Sequence, residues 1–164
     1  MRLLPLILVL SLGAGAAPAQ EIRRVGPPDF PISASVEVPA GSRIVYVSGS
    51  VPEVADESAP PGSVDRYGDT ATQTRSVLRR IETQLAQHGM DLGDIVMMRI
   101  FLVAPPGTDR MDFAGMMAAY REYFGTDAQP ERPARSTMAV AGLVDPGWLV
   151  EIEATAATAP APAR

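Results

Sequence analysis

The sequence predicts a single α+β domain in which two helices cover one face of a mixed β-sheet. β-rich and helical segments follow one another in the order β-β-α-β-α-β-β. Two segments have the three- and four-residue apolar spacing of amphipathic helices. One segment, Ile95 to Val103, is apolar along almost its whole length, which indicates a strand that is covered on both faces.

The start of the chain resembles a targeting segment rather than part of the domain. An arginine precedes an apolar run from Leu3 to Leu12, and small residues follow up to Ala19, as in a secretory signal peptide. The run is too short to span a bilayer. We therefore expect residues 1–19 to be removed, residues 20–158 to form one domain, and residues 159–164 to be a flexible tail. The product would be periplasmic or secreted, with no membrane partner.

The first half of the domain is predicted to begin with two strands and a long loop. β-rich residues occupy Ser35 to Val38 and Arg43 to Gly49, and the turn residues between them predict a hairpin. Residues 20–34 are rich in proline and predict an irregular lead-in. Residues 52–68 contain Pro60-Pro61-Gly62, and this loop is long enough to have a function or to act as a lid.

The first helix is predicted over Asp69 to His88, with Asp69 as its N-cap and Gly89 as its stop. His88 falls in the last turn, where a structural role against the helix dipole is favoured over a catalytic one.

A second helix is predicted over Met111 to Phe124, and its methionines are expected to fill the core. The last two strands are predicted over Ser136 to Ala141 and Trp148 to Ala157. Two helices cover only one face of such a sheet, whereas the strand from Ile95 to Val103 needs cover on both. A second copy of the chain is the simplest cover, so we expect self-association.

The composition excludes several kinds of chemistry. The sequence contains no cysteine, no lysine among its 14 basic residues, and one histidine. Disulfides, thiolate nucleophiles and Schiff-base lysines are therefore excluded. The net charge of −5 argues against a nucleic-acid partner and favours a neutral or anionic small molecule. Phosphate loops, nucleophile elbows and clustered metal ligands are absent from the sequence, so we expect neither a metal nor a cofactor.

Arg135 is the first candidate for a functional residue. It stands in Pro133-Ala134-Arg135-Ser136-Thr137, at the predicted start of a strand. A guanidinium group in that position can bind a carboxylate through two parallel hydrogen bonds. An inter-subunit salt bridge or a solvated arginine would fit the same residues, and the spacing alone does not separate these alternatives.

Glu151 and Glu153 are the second candidates. The period of two along a strand places both carboxylates on one face, with the apolar residues between them on the other. That face is the one expected to associate, and a carboxyl group there could act as a general acid or base. Arg99 is a candidate partner for one of them. The alternative is an ordinary solvated polar face.

Four segments, taken together and in this order, resemble the RidA (YjgF/YER057c/UK114) family: GDTATQTRSVLRRIETQLAQHGMDLGDIVMMRIFL, MDFAGMMAAYREYFG, PARSTMAVAGL and VEIEATA. The resemblance extends from about Val45 to Ala157. It implies a chorismate-mutase-like fold that assembles as a homotrimer, with active sites in the clefts between subunits.

The resemblance also implies roles for individual residues. In the family, the arginine that corresponds to Arg135 binds the substrate carboxylate, and the glutamate that corresponds to Glu151 positions or activates water. Ser48 and Gly49 match a Ser-Gly pair that follows the second strand and are expected to line the pocket. The implied reaction is hydrolysis of 2-imino acids and their enamine tautomers to 2-keto acids and ammonia, without a metal or organic cofactor.

The chain departs from the family pattern at two expected binding positions. Met117 stands where the family usually has asparagine, and Thr137 stands where several members have cysteine. A non-catalytic trimer that binds small carboxylates or acts like a chaperone would use Arg135 but not Glu151. An endoribonuclease is a third alternative, against which the acidic balance and the missing lysines both argue.

Overall fold

A four-stranded sheet with two helices on one side forms the body of the protein. The computed structural model describes residues 20–161, so the predicted signal peptide lies outside the described residues, as do residues 162–164 of the predicted tail. The elements are, in chain order, β1 (Arg23–Val25), β2 (Ser35–Glu37), β3 (Arg43–Ser50), α1 (Thr70–Ala86), β4 (Ile95–Leu102), α2 (Phe113–Tyr120), β5 (Ala134–Ala139) and β6 (Val150–Thr158). Short 3₁₀ turns at Val64–Arg66 and Leu92–Asp94 precede α1 and β4.

The main sheet has the strand order β3-β6-β4-β5. β6 is antiparallel to both of its neighbours, whereas β4 and β5 are parallel, so the predicted mixed sheet with two helices on one face is confirmed. The sequence predicted a hairpin between Ser35 to Val38 and Arg43 to Gly49, and this prediction is wrong. Residues Ser35–Glu37 pair with Arg23–Val25 in a separate two-stranded sheet, and Arg43–Ser50 pairs with β6 instead.

The prediction of irregular structure over residues 20–34 is also wrong for the three residues of β1. Distant contacts hold that short strand in place. The guanidinium group of Arg24 donates to the carbonyl oxygens of Gly93 at 2.6 Å and Ile95 at 3.2 Å, and it forms an ion pair of 3.1 Å with Glu131. These partners are far away in the sequence, so local residue pattern does not reveal the strand.

The hydrophobic core lies between the helices and one face of the sheet. Its fully buried members come from both helices and from the two central strands: Val77, Leu78, Ile81, Leu85, Met98, Ile100, Leu102, Met116, Tyr120 and Ile152. Burial of each such side chain stabilises the fold by roughly 1.5–3 kcal/mol. The expectation that the methionines of the second helix fill the core is confirmed for Met116.

Both helices are shorter than predicted, and α1 begins with the expected N-cap. The carboxylate of Asp69 accepts a hydrogen bond of 2.8 Å from the backbone N–H of Thr72, which confirms the predicted N-cap. Gly89 follows α1 with a φ of +65°, where glycine is favoured. His88 lies beyond the helix and is exposed. β5 begins at Ala134, so Arg135 lies inside the strand.

The long loop of residues 52–68 is anchored by its own hydrogen bonds. Nη1 of Arg66 donates to the carbonyl oxygens of Glu57 and Ala59, and the hydroxyl of Tyr67 donates to Asp145 at 2.9 Å. The buried amide of Gln73 then bridges the end of this loop to the segment that leads into β6. Within residues 20–161 we find no helix with the length and apolarity needed to cross a membrane.

Candidate active site

Arg135 points toward the helix-covered side of the sheet. It pairs across the parallel ladder with Met98, and Thr137 pairs with Ile100. Both β4 residues are fully buried under the helices, and directly paired residues share a face. The side chains of Arg135 and Thr137 therefore lie between the edge strand β5 and helix α2.

Aromatic rings of α2 surround the guanidinium group of Arg135. Its Cζ lies 4.3 Å from the ring centroid of Tyr120 and 6.0 Å from that of Phe113. The Tyr120 ring stacks on Phe124 with a centroid separation of 4.6 Å. Met117 occupies the same helical face as Phe113 and Tyr120, since residues three and four apart are neighbours on a helix. Cation–π attraction and packing thus fix the position of the guanidinium group.

Four polar atoms in this cluster are buried without a hydrogen-bond partner among residues 20–161. They are Nε and Nη1 of Arg135, Oγ1 of Thr137 and Oη of Tyr120. Leaving a buried polar group unpaired costs about 1–3 kcal/mol, and more when the group is charged. Folded proteins rarely tolerate several such atoms in one place unless a ligand or water pairs with them. The cluster therefore has the properties of a binding site for a hydrogen-bond acceptor.

The electrostatics of the cluster favour an anionic acceptor. Burial lowers the pKa of the Arg135 guanidinium group, and the adjacent Tyr120 partly offsets this effect. The group nevertheless stays protonated at neutral pH, because an arginine in a protein does not lose its proton. Burial raises the pKa of Tyr120, so its phenol remains a neutral donor. A carboxylate can accept two parallel hydrogen bonds from one edge of the guanidinium group, where Nη2 lies beside Nε or beside Nη1.

Glu151 lies on the opposite, open face of the sheet. Val150 and Ile152 are fully buried, whereas Glu151 and Glu153, which alternate with them along the strand, are partly exposed, as the period of two predicted. Nη1 of Arg99 lies 3.2 Å from a carboxylate oxygen of Glu153. The expectation that Arg99 pairs with one of the two glutamates is confirmed, and this pairing leaves Glu151 available for another partner.

A β-bulge brings Gly49 against Glu151. β3 advances three residues from Val47 to Ser50 while β6 advances two, so the extra residue falls at Ser48 or Gly49. A Cβ atom at residue 49 would overlap Oε1 of Glu151. Only glycine leaves the space in which this carboxyl group rests against the β3 backbone, and bulges of this kind often occur next to active sites.

The structure therefore sorts the predicted residues into two groups on opposite faces of one sheet. We call the first the arginine half-site, made of Arg135, Thr137, Met117, Phe113 and Tyr120. We call the second the glutamate half-site, made of Ser48, Gly49 and Glu151. A single chain does not bring Arg135 and Glu151 together, since their β4 partners, Met98 and Phe101, alternate in direction.

Phe113 and Tyr120 were not among the candidate residues predicted from the sequence. Their helical spacing from Met117, which was expected to bind substrate, is the signal that places them on the same face. In residues 20–161 no group of three or more His, Asp or Glu side chains is arranged to hold a metal ion.

Known proteins match the chain over most of its length. The sequence family described as Endoribonuclease L-PSP matches residues 30–158. The 3-aminoacrylate deaminase RutC of Acinetobacter baylyi is 38% identical over 126 residues, which cover 77% of this chain and 88% of that protein. The structure of YyfB, a Rid family protein from Yersinia pestis, has a TM-score of 0.62 at 24% identity and covers 84% of this chain and 98% of its own. Escherichia coli TdcF with bound serine has a TM-score of 0.53 at 27% identity and covers 82% of this chain and 97% of its own.

The sheet, the two helices on one face and the structural neighbours define an α+β protein of the chorismate-mutase-like class. Its family members act on small-molecule substrates, as the RutC relative does. The chain belongs to the RidA (YjgF/YER057c/UK114) family, which confirms the resemblance carried by its four sequence segments.

Proposed function

We propose that this protein hydrolyses 2-imino acids and their enamine tautomers to 2-keto acids and ammonia, with no metal or organic cofactor. The observation that carries the proposal is the buried guanidinium group of Arg135, whose unpaired N–H groups are held between aromatic rings. The relatives support it, because one is named for deamination of an enamine that bears a carboxylate and another holds bound serine.

The arginine half-site would hold the substrate by its carboxylate. The guanidinium group of Arg135 donates to the carboxylate oxygens through one edge, formed by Nη2 together with Nε or Nη1, and the hydroxyls of Thr137 and Tyr120 supply two further donors. Nε, Nη1 and both hydroxyls are buried and lack a partner among residues 20–161. Binding therefore removes an existing cost of unpaired polar groups as well as forming new bonds. The substrate is oriented with its C=N carbon fixed relative to the rigid strand β5.

Glu151 would manage the protons of the hydrolysis. Water attacks the carbon of the protonated imine and gives one proton to the Glu151 carboxylate, which leaves a hydroxyl and a neutral amine on that carbon. Glu151 then returns the proton to the nitrogen. The hydroxyl oxygen forms the C=O bond as the C–N bond breaks, and its proton leaves with ammonia as ammonium. An enamine enters the same path after its carbon takes up a proton.

A complete site would require two copies of the chain, because Arg135 and Glu151 lie on opposite faces of one sheet. The open face also carries apolar groups that a partner would cover. Tyr46 on β3 is 78% exposed and Met138 on β5 is 37% exposed. We therefore propose a homotrimer in which the arginine half-site of one subunit meets the glutamate half-site of the next. The apolar start of the chain supports a periplasmic or secreted location.

The proposal is tested with 2-imino acids generated in place by an amino-acid oxidase. We expect the protein to accelerate keto-acid formation above the spontaneous rate. Arg135→Ala should lower kcat/KM by about 1,000-fold, because two charge-assisted hydrogen bonds are lost. Arg135→Lys is the matched control, which keeps the charge without the paired donors and should fall between the two. An Arg135→Ala variant that is as fast as the unchanged protein would refute the proposed enzymatic activity.

A non-catalytic carboxylate binder is the second candidate. One observation favours it, namely that no ion pair within residues 20–161 places a carboxylate beside the guanidinium group of Arg135. Such a protein would bind 2-keto acids through Arg135 yet leave the rate of imine hydrolysis unchanged. Endoribonuclease activity, named in the family description, is opposed by the net charge of −5 and the absence of lysine.

A further inference from the structure

A groove of about 410 Å³ lies beside the arginine half-site, in the size range of small-molecule sites. The loop after β4, the start of α2 and the end of β5 form its walls. The groove is lined mainly by apolar side chains: Ala104, Met111, Phe113, Ala139 and Val140. Small residues on the strand side leave this space open.

Phe113 connects the groove to the half-site. Its ring lies 6.0 Å from the guanidinium carbon of Arg135 and also lines the groove. The ring is 44% exposed, so it is not a core residue that only borders a cavity. A ligand held by Arg135 would therefore extend past one face of Phe113 directly into the groove.

Along β5, the residues that face α2 change from polar to apolar toward the groove. Arg135, Thr137 and Ala139 alternate along the strand and share that face, since their β4 partners are all fully buried. The row thus presents a guanidinium group, then a hydroxyl, then a methyl group at the groove. This order matches a molecule with a carboxylate at one end and a hydrocarbon chain at the other.

The two charged residues of the groove do not alter its apolar character. The side chains of Asp109 and Arg110 are 93% and 89% exposed, and their charged atoms lie 3.9 Å apart. They stand at the mouth, in solvent, and their charges compensate each other. The inner walls present hydrocarbon, which favours an uncharged apolar chain over a polar one.

We propose that this groove binds the side chain of the substrate, and that the preferred substrates are 2-imino acids with apolar side chains of several carbons. This inference rests on the proposed function and specifies its substrate class. It separates this chain from the RutC relative, whose 3-aminoacrylate has no such side chain.

The first test compares imines made from alanine, 2-aminobutyrate, norvaline and norleucine, which differ by one methylene each. We expect kcat/KM to rise about fourfold for each methylene that enters the groove. Ala139→Leu should fill the groove and flatten this series. Ala118→Leu is the matched control, because Ala118 is exposed on α2 and does not line the groove; its series should keep the original slope.

The second test measures binding of the matching 2-keto acids, from pyruvate to 2-oxohexanoate, by calorimetry. These products keep the carboxylate and the side chain, so their affinity should rise with chain length whether or not the protein is a catalyst. Affinity and kcat/KM that do not depend on chain length would overturn the side-chain site, even if every imine is hydrolysed. Chain-length-dependent binding without catalysis would instead refute only the proposed reaction. An Ala139→Leu variant with altered mass in solution and unaltered chain-length dependence would assign the groove to subunit contact and overturn the inference.

Discussion

The two half-sites lie on the same sheet but differ in nearly every physical property. The guanidinium group of Arg135 is half-buried, packed against aromatic rings and surrounded by polar atoms that lack partners in residues 20–161. The carboxyl group of Glu151 is on the open face, against a glycine in a β-bulge and near the exposed Arg99–Glu153 pair. One half-site is half-buried against aromatic rings, and the other is on the open face of the sheet.

This difference indicates a division of labour. A half-buried guanidinium group held against aromatic rings gives affinity and orientation through charge-assisted hydrogen bonds to a carboxylate. A carboxylate that accepts and returns a proton must lie beside the attacking water in the assembled site. In the proposed reaction neither half-site is complete within one chain, so assembly and catalysis should be coupled.

Glu151→Gln tests the difference between the two half-sites most strongly, because it keeps the shape of the side chain but removes the base. We expect kcat to fall by about 100-fold with KM nearly unchanged, because the arginine half-site still binds the carboxylate. Steady-state kinetics, with the imine generated in situ by an amino-acid oxidase, measures both constants. A rise in KM with kcat retained would assign Glu151 to binding and contradict the division.

Gly49→Ala should have an intermediate effect. The added methyl group overlaps Oε1 of Glu151, so the flexible carboxyl end must move away from the β3 backbone. We expect kcat to fall about tenfold, while the free energy of unfolding changes by about 0.5 kcal/mol or less, since only a side-chain end shifts. Kinetics and denaturant unfolding of the same preparation check both effects. Full activity in this variant would show that the position of Glu151 is not critical.

Tyr120→Phe should have the smallest effect on activity. Unlike Gly49→Ala, it should increase the free energy of unfolding. The ring that packs against Arg135 stays, but a buried hydroxyl without a partner in residues 20–161 is removed. We expect the ligand-free protein to gain about 1 kcal/mol in its free energy of unfolding, and keto-acid affinity to weaken severalfold. Denaturant titrations at matched protein concentration test the first effect. A clear loss of stability would mean that the hydroxyl is already paired.

The sequence predicted the helix-covered sheet and the position of the glutamates because those features follow local rules. The alternation around Glu151 assigns it to the open face, and the almost continuous apolar run of β4 predicts a strand that is buried under the helices. Asp69 and Gly89 also matched their predicted roles at the ends of α1. Each of these features depends on residues within a few positions of one another.

The features that were missed depend on distant partners. Strand β1 is held by the hydrogen bonds of Arg24 to the backbone of Gly93 and Ile95, and β2 pairs with β1 rather than with β3. The direction of the Arg135 side chain follows from the register of β5 against β4 after a long crossover. No local pattern fixes that register, so the sequence did not reveal that Arg135 and Glu151 point to opposite faces.

The central claim is that Arg135 of one subunit works with Glu151 of another. Arg135→Ala and Glu151→Gln chains, each with greatly reduced activity alone, should be produced together in equal amounts so that mixed oligomers form. Random assembly of a cyclic oligomer then restores the native pair at about one quarter of the sites, so about a quarter of the unchanged protein's activity should return. If the mixed oligomers show no more activity than the separate variants, the two residues do not share a site between subunits and the account is contradicted.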